Sequence, residues 1–338
     1  MLDERQLDEI LSRPSEELII DLEKLDGDIM VLGAGGKVGP TVCVMLQRAV
    51  ARCAKPRKVY AVARFTDPYV VELFQRENVT MLTVDLTDPA QIATLPKVSN
   101  IIYMVGRKFG TSGNEGDTWQ MNTAVPAFVT KHFGAARYVV FSTGNVYPFT
   151  PPEVGGSVES DPTDPVGEYG MSCLGRERIF EYAAKHYGAK VLIFRLNYAI
   201  DLRYGVLFDL ANRICAGEPI SLNVSGFNCV WQQYVAEVAI RSLLHAANPV
   251  EYLNVTGPEF VSTRWAACKL AEYLGKEVSF TGAPSEKALL SNANKCVRLF
   301  GYPEKGLEEL IALQAQWILN GGRQLGKPTH FEEQKGRF

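Results

Sequence analysis

The chain has 338 residues, of which 46% are apolar and 22% charged, and its formal net charge is −3. These values are typical of a globular protein and exclude a disordered chain, and so small a net charge gives no basic surface for nucleic acid. We also expect no membrane partner, because the chain lacks an apolar run of about 18 residues and starts with the acidic sequence MLDERQLDEI. Seven scattered cysteines without a C-x-x-C pair, and four widely separated histidines, predict a cytoplasmic protein with neither disulfides nor a metal.

The first 28 residues hold ten acidic and three basic residues. Pro14 interrupts two short amphipathic stretches in this region, and Ser15 is a favourable N-cap for the second. We interpret residues 1–27 as a helical hairpin that lies solvated at the edge of a domain. An arm that docks a partner is the alternative.

From residue 28 onward, apolar runs alternate with stretches of helical periodicity. The predicted strands cover 28–32, 58–63, 79–84, 100–105, 137–142 and 190–194, and the predicted helices cover 38–51, 69–76, 118–133 and 168–186. This alternation predicts an α/β protein with a Rossmann-type, doubly wound sheet of seven mainly parallel strands. It stops after Arg195, so we assign 28–195 and about 228–256 to this domain, and 196–227 and 257–338 to a smaller C-terminal α/β domain for the substrate.

A glycine-rich turn joins the first strand to the first helix of this pattern. Gly33, Gly36 and Gly39 have the spacing G-x-x-G-x-x-G. The first glycine permits a tight turn, the last permits close contact between helix and sheet, and the backbone between them, including Lys37 and Val38, can approach a pyrophosphate. This context predicts a dinucleotide site, and a purely structural turn is the alternative.

The residue at the end of the second strand bears on the choice of cofactor. Enzymes that use NAD usually carry an acidic residue there for the ribose hydroxyls, but this chain has Arg64. A guanidinium can pair with a 2′-phosphate, and Lys37 could assist it, so the sequence favours NADP(H) over NAD(H). Alternatively, Arg64 only stacks on the adenine.

Several further motifs occur in an order that resembles one superfamily. They are the glycine turn, Val84-Asp85-Leu86, Asn122, the sequence FSTGNVY at 141–147, and Tyr169. Over about residues 28–275 the chain resembles the extended short-chain dehydrogenases/reductases, the NAD-dependent epimerase/dehydratase group. The resemblance implies that Tyr169 is the general acid/base and that Thr143 binds the reacting oxygen. It also implies a cofactor site that includes Asp85, Leu86, Val105, Gly106 and Asn122.

One position departs from that family. A tyrosine with a pKa near 10 needs a nearby cation to act as a base at neutral pH, and the family supplies a lysine four residues later. Here that position is Cys173, which we interpret as a small buried residue. Three explanations stay open: Arg107 or Lys108 replaces the lysine, the cofactor's own charge suffices, or the protein only binds a dinucleotide. Arg176 is expected to lie too far along the helix to help.

The second half of the chain lacks the features of a nucleotide-sugar site. Where related nucleotide-sugar enzymes carry an arginine for the diphosphate, this chain has Val230. Asn145, Asn197 and Arg203 are the candidate substrate residues, although Arg203 can equally be a solvated loop residue. The C-terminal stretch around His330 could fold over a pocket, but we expect it to be a frayed tail.

These observations lead to one expected function and two alternatives. We expect an NAD(P)-dependent oxidoreductase or epimerase that transfers hydride to or from a secondary alcohol or ketone of a carbohydrate-like small molecule. The alternatives are a nucleotide-sugar epimerase and a non-catalytic protein that binds NADP(H). The large apolar residues of 168–186, together with the helix at 118–133, predict a homodimer.

Overall fold

The computed structural model describes residues 2–327 and 329–337. The strands are β1 Ile29–Leu32, β2 Val59–Ala63, β3 Thr80–Thr83, β4 Asn100–Tyr103, β5 Arg137–Thr143, β6 Lys190–Leu196, β7 Ala199–Ile200, β8 Ile220–Ser221, β9 Gly226–Phe227, β10 Val230–Trp231, β11 Glu251–Val255, β12 Val261–Ser262 and β13 Phe280–Thr281. The α-helices are α1 Glu4–Leu11, α2 Glu16–Glu23, α3 Gly39–Val50, α4 Pro68–Arg76, α5 Pro89–Ile92, α6 Glu115–Trp119, α7 Val125–Phe133, α8 Gly167–Tyr187, α9 Val206–Ala216, α10 Gln232–Arg241, α11 Thr263–Leu274, α12 Asn294–Phe300 and α13 Leu307–Leu319. A π-helical turn, Gln120–Ala124, joins α6 to α7, and short 3₁₀ turns occupy Gly144–Val146, Pro152–Val154 and Ser242–His245.

Seven of the strands form one sheet in the order β11-β6-β5-β4-β1-β2-β3, and every pairing in it is parallel. The predicted Rossmann-type, doubly wound fold is therefore confirmed. The chain winds in opposite directions from β1, so the loops after β1 and β4 diverge and leave a crevice at the carboxyl ends of the strands.

Helices cover both faces of the sheet. The buried side chains of α3, α4 and α10 pack on one face, and those of α7 and α8 pack on the other. A third cluster of buried side chains joins α9, α11 and α13, and it belongs to the C-terminal half of the chain. The division into a cofactor domain and a smaller substrate domain stays a prediction. No helix among the described residues is both long and apolar enough to cross a lipid bilayer.

The predicted helix at 118–133 differs in form from the expectation. It starts at Glu115 and contains the π-helical turn Gln120–Ala124. Pro126, in the first turn of α7, has no N–H with which to bond the carbonyl of Asn122. The turn therefore widens at Asn122, a candidate cofactor residue, as π-bulges often do at functional positions.

The N-terminal extension forms the two predicted helices, but it is not a solvated edge. Leu18 of α2 packs in the cluster of α3 and α10, whereas Leu7 of α1 packs in the cluster of the C-terminal half. Asp8 is buried and bonds to the guanidinium of Arg203 at 2.9 Å. Several of its acidic residues thus neutralise internal cations, which composition alone did not indicate.

We expect Arg203→Leu to lower the free energy of unfolding by about 3–5 kcal/mol, because the carboxylates of Asp201 and Asp8 would stay buried without their cation. Urea unfolding followed by circular dichroism measures this change. Arg13→Leu is the control, since its pair with Glu9 is exposed, and it should cost less than about 1 kcal/mol. Similar losses in the two variants would contradict the prediction.

Candidate active site

The glycine turn after β1 has the geometry of a dinucleotide cradle. Gly33 has a φ of 86°, and a Cβ there would lie 2.8 Å from the carbonyl carbon of Met104. A Cβ on Gly39 would lie 2.7 Å from the carbonyl carbon of Ala34, so only glycine permits this contact of α3 with the turn. Gly36 is exposed, and α3 begins without a side-chain cap, which leaves its first N–H groups available to a phosphate. The residues present therefore fit a nicotinamide dinucleotide.

Arg64 and Asp85 lie together at the ends of β2 and β3. Arg64 is exposed, and among the described residues its guanidinium has no hydrogen bond or ion pair. Hydrogen bonds from the backbone and the hydroxyl of Thr87 lower the pKa of Asp85, and the charge of Arg64 lowers it further. Leu86 is buried beside them. This end of the crevice thus offers one carboxylate acceptor and one unpaired cation.

Lys37 lies between two aromatic rings. Its Nζ is 3.4 Å from the centre of the Tyr204 ring and 4.1 Å from that of Phe109, and it has no hydrogen-bond partner among the described residues. Burial, reinforced by the charge of Lys108, lowers the pKa of Lys37 to about 6. The predicted assistance of Lys37 to Arg64 stays a prediction, since its neighbours here are these rings.

Thr143 and Tyr169 lie together where β5 ends and α8 begins. The Thr143 hydroxyl accepts hydrogen bonds from the backbone N–H and the amide of Asn145 at 3.1 and 3.0 Å, and it is also hydrogen-bonded to the phenol of Tyr169. Burial raises the pKa of Tyr169. At neutral pH the phenol is therefore protonated and can donate a proton or a hydrogen bond.

Beneath Tyr169, the side chain of Asn122 organises a buried network. Its oxygen accepts hydrogen bonds from the backbone of Arg107 at 2.9 Å and from the guanidinium of Arg176 at 2.5 Å. Its amide donates to Ser172 at 2.9 Å. Asn122 therefore fixes the loop after β4 against α8, below the position that the resemblance gives to the nicotinamide ribose.

Arg176 lies nearer to the site than we expected. It is 5% exposed and donates to the carbonyl of Phe141 at 2.7 Å, so its side chain turns inward under Tyr169. Burial and the neighbouring Cys173 raise the pKa of Tyr169, whereas the charge of Arg176 lowers it. The expectation that Arg176 is too distant was wrong, because its long side chain extends back along the helix. Cys173 is fully buried, and burial raises the pKa of its thiol.

Of the two cations after β4, only Lys108 turns toward the tyrosine. Its Nζ lies 5.6 Å from the centre of the Tyr169 ring. Burial lowers the pKa of Lys108 to about 8. Arg107 instead pairs with Asp117 at 2.9 Å on the outside of the loop. Thr143, Tyr169 and Lys108 thus converge at the carboxyl end of the sheet, where ligands of such folds bind.

The family follows from a direct comparison. The family model described as "NAD dependent epimerase/dehydratase family" matches residues 29–229. The chain belongs to this family. No curated protein shows significant sequence similarity to it.

Solved structures share the fold at low sequence identity. They include UDP-glucuronic acid 4-epimerase from Bacillus cereus in complex with NAD, at a TM-score of 0.69 and 16% identity. UDP-glucose 4-epimerase from Thermotoga maritima with UDP-glucose gives 0.69 and 17%, and Pal from Bacillus thuringiensis gives 0.72 and 15%. Each alignment covers 87% of this chain and 99% of the other. Identities this low establish a common fold and leave the reaction open.

The candidate substrate residues of this family member have different surroundings. Asn145 is half-buried beside Thr143, and its role toward a substrate stays a prediction. Asn197 is buried, and its amide donates to Asn228 at 2.9 Å. Arg203 was wrongly assigned on both readings, since it is neither free for an anion nor solvated: Asp201, Asp8 and Glu4 neutralise it. Asp201 lies two positions away in the sequence, but Asp8 and Glu4 lie 195 and 199 positions away, so the sequence did not signal the full cluster.

The C-terminal segment was also wrongly expected to be frayed. Thr329 and Phe331 are 2% and 3% exposed, and Thr329 donates from both N–H and hydroxyl to the carboxylate of Asp209. Sequence reasoning missed Asp209 as well, because nothing in its spacing marks it. An isolated Phe331 in a polar tail was the one available signal.

We expect the second and third glycines of the turn to respond differently to alanine. Gly39→Ala should lower the free energy of unfolding by about 1–3 kcal/mol, because its Cβ has no room against Ala34. Gly36→Ala meets only an ordinary 3.5 Å contact with Gly33, so stability should change by less than about 0.5 kcal/mol. Its methyl group should nevertheless weaken binding of NADH and NADPH roughly tenfold.

Thermal unfolding and fluorescence titration separate the two effects. If Gly36→Ala bound both dinucleotides as tightly as the wild type, the turn would not be the cofactor cradle. If Gly39→Ala were as stable as the wild type, the close contact between helix and turn would be unnecessary.

Proposed function

We propose that the protein is an NAD(P)-dependent oxidoreductase or epimerase that transfers hydride to or from a secondary alcohol or ketone of a sugar-like small molecule without a nucleotide. The observation that carries this proposal is the convergence of the Tyr169 phenol, the Thr143 hydroxyl and the Lys108 ammonium at one end of the crevice. The family, with its nicotinamide dinucleotide, supplies the class of reaction.

The residues of the chain have distinct roles in this proposal. The glycine turn, Asp85, Leu86, Val105, Gly106 and Asn122 would hold the dinucleotide. A bound nicotinamide would supply hydride acceptor or donor chemistry. Tyr169 donates a proton to the oxygen of a ketone and takes one from an alcohol in the reverse direction, and Thr143 donates a hydrogen bond to the same oxygen.

Lys108 takes the place of the missing lysine. The phenolate that Tyr169 forms on losing its proton would be costly in a buried site, and a nearby ammonium stabilises it. Lys108 supplies that charge from the loop after β4 instead of from α8. Cys173 cannot, because its thiol is neutral or negative.

We propose a substrate without a nucleotide because of two residues in the C-terminal half of the chain, Val230 and Arg203. Val230 is buried in β10, where related nucleotide-sugar enzymes carry an arginine, and Arg203 is already neutralised. A diphosphate therefore lacks its guanidinium partner here. A nucleotide-sugar epimerase remains the second candidate, because two of the similar structures are UDP-sugar 4-epimerases.

We further propose a homodimer and a cytoplasmic location. Trp119, Met171, Tyr182 and Tyr187 are exposed on the segments 115–133 and 167–187, which supports pairing of these helices with their copies. All seven cysteines are free thiols, which suits a reducing compartment.

We expect Lys108→Met to lower kcat roughly 10²-fold at pH 7. Since the pKa of Lys108 is about 8, the rate of the wild type should fall as the pH rises through this value and the ammonium is lost, and the variant should lack that limb. A panel of keto-sugars and sugar alcohols, assayed with both dinucleotides, provides the measurement. Arg107→Met, next to it but paired with Asp117, is the control and should change kcat less than about twofold.

A variant with a lysine at position 173 also tests the assignment of Lys108 as the cation that serves Tyr169. Tyr169→Phe should abolish turnover and keep dinucleotide affinity, since it removes only the hydroxyl. Cys173→Lys alone should not raise kcat, because a second cation is redundant. In the Lys108→Met background, the same change should restore part of the rate. A clear gain from Cys173→Lys alone would exclude Lys108, and a wild type that binds dinucleotide but converts nothing would favour a non-catalytic protein.

We expect NADPH to bind at least tenfold more tightly than NADH, a difference of about 1.4 kcal/mol, because the exposed Arg64 can pair with the 2′-phosphate. Arg64→Asp should reduce or reverse this preference. Calorimetric titration of both proteins with both dinucleotides provides the four affinities. Equal affinities in the wild type would refute the preference while leaving the reaction class unaffected.

A further inference from the structure

The last part of the chain crosses the crevice from one end to the other. We name residues 323–327 and 329–337 the C-terminal strap. It begins near the glycine turn, where Leu325 and Lys327 line a cavity together with Gly35 and Gly36. It then passes the loop after β4, where the carbonyl of Thr329 accepts a hydrogen bond from Lys108 at 3.4 Å. The strap therefore lies over both the proposed phosphate site and the proposed catalytic cation.

Contacts with the substrate half anchor the middle of the strap. Asp209 of α9 accepts hydrogen bonds from the N–H of Thr329 at 2.7 Å and from its hydroxyl at 2.5 Å. Phe331 is buried, and its ring centre lies 5.9 Å from that of Phe227. Glu332 pairs with Arg213. Two buried side chains and an ion pair thus fasten this segment to elements outside the sheet.

The end of the strap closes over the start of α8. A Cβ on Gly336 would lie 2.6 Å from the Cα of Gly167, two residues before Tyr169. The cavity between Gly336, Glu333 and Asn145 measures about 10 Å³, which is roughly the room of one water molecule. With the strap in this position, the substrate end of the crevice is shut.

The strap covers the cofactor side without filling it. Gly35 and Gly36 of the turn and Gly106 after β4 are all exposed, although the strap passes over this part of the crevice. Tyr169 and Lys108 keep partial exposure too. The strap therefore leaves the backbone that would face the phosphates exposed.

We propose that the C-terminal strap is a lid that closes over the bound dinucleotide, slows its release and opens at its Gly336 end to admit the substrate. The proposal requires that the crevice holds the dinucleotide, and it does not depend on the substrate or on the assignment of Lys108. A slowly released cofactor suits a reaction in which it is restored within each turnover. Within the proposed function, the strap therefore favours an epimerase over a dehydrogenase that must exchange its cofactor.

The test compares two glycines of the strap. Both have left-handed backbone conformations, with φ of 70° at Gly336 and 61° at Gly326, but only Gly336 lacks room for a Cβ. We expect Gly336→Ala to release NADH and NADPH at least fivefold faster than the wild type, in stopped-flow displacement by excess NAD+ or NADP+. Gly326→Ala, the matched control, should stay within twofold of the wild type.

Gly336→Ala could disturb the start of α8 directly instead of opening the strap. A second variant and a second measurement distinguish these two effects. Thr329→Val removes one of the two hydrogen bonds to Asp209, far from Gly167, and should also accelerate release. In the wild type, either dinucleotide should slow amide hydrogen exchange over residues 329–335, because binding and closure stabilise each other.

The results that overturn the lid are equally specific. Gly336→Ala and Thr329→Val could release the dinucleotides at the wild-type rate even though amide hydrogens of the strap exchange faster in these variants. The strap would then be a fixed structural tail. If the variants released the dinucleotides more slowly, the strap would be a competitor for the crevice. Faster amide hydrogen exchange in the strap of the wild type on dinucleotide binding would lead to the same conclusion. If the wild type bound neither NADH nor NADPH, the cofactor site itself would be refuted.

Discussion

The buried guanidinium of Arg203 joins three parts of the chain that are distant in sequence. It pairs with Asp201 in its own loop at 2.7 Å, and with Asp8 of the N-terminal helix at 2.9 Å. Its backbone carbonyl accepts the N–H of Leu325 at 3.1 Å, where the strap begins. Because a buried cation must keep its carboxylates, the extension, the substrate half and the strap are held in one arrangement. The position of the cover over the crevice depends on this cluster.

Cys173 stands where the resemblance implies a lysine, so the positive charge near Tyr169 comes from other residues. Two cations remain near the tyrosine, Arg176 from below and Lys108 from the loop after β4. Arg176 is engaged by Asn122 and by the carbonyl of Phe141, so its charge is fixed in place. Burial lowers the pKa of Lys108 to about 8, so its charge can change with pH near that value. In the proposed site, Arg176 thus supplies a constant positive charge near Tyr169, and Lys108 supplies a positive charge that changes with pH.

The sequence predicted the sheet well because parallel strands are marked by local patterns. Apolar runs, helical periodicity and the glycine spacing of 33, 36 and 39 all act over a few residues, and they located the first six strands of the sheet within one or two residues at each end. Thr143 and Tyr169 came from the family resemblance and not from these local patterns, and the structure places the two side chains together where β5 ends and α8 begins. The role of each candidate site residue stays a prediction.

The failures came where a contact joins residues far apart in the chain. Arg203 was assigned to the substrate because its carboxylate partner Asp8 lies 195 positions away. The strap was expected to fray because Asp209, which binds Thr329, lies 120 positions away. The reach of Arg176 depended on the direction of a long side chain, which spacing along a helix does not give. Contacts between distant parts of the chain decided the first two cases, and side-chain direction decided the third.

The strap and the displaced cation are physically connected, and this explains how a cysteine can occupy the family's lysine position. Lys108 lies under the strap, bonded to the carbonyl of Thr329, and burial is the first cause of its lowered pKa. An open strap would hydrate the ammonium and return its pKa toward the ordinary value, which would weaken its electrostatic effect on Tyr169 through screening. If the proposed lid is correct, closure would remove water, strengthen the electrostatic effect of Lys108 on Tyr169 and cover the cofactor in one movement. A lysine on α8 would act whether the strap was open or shut, whereas a cation under the strap would make proton transfer depend on closure.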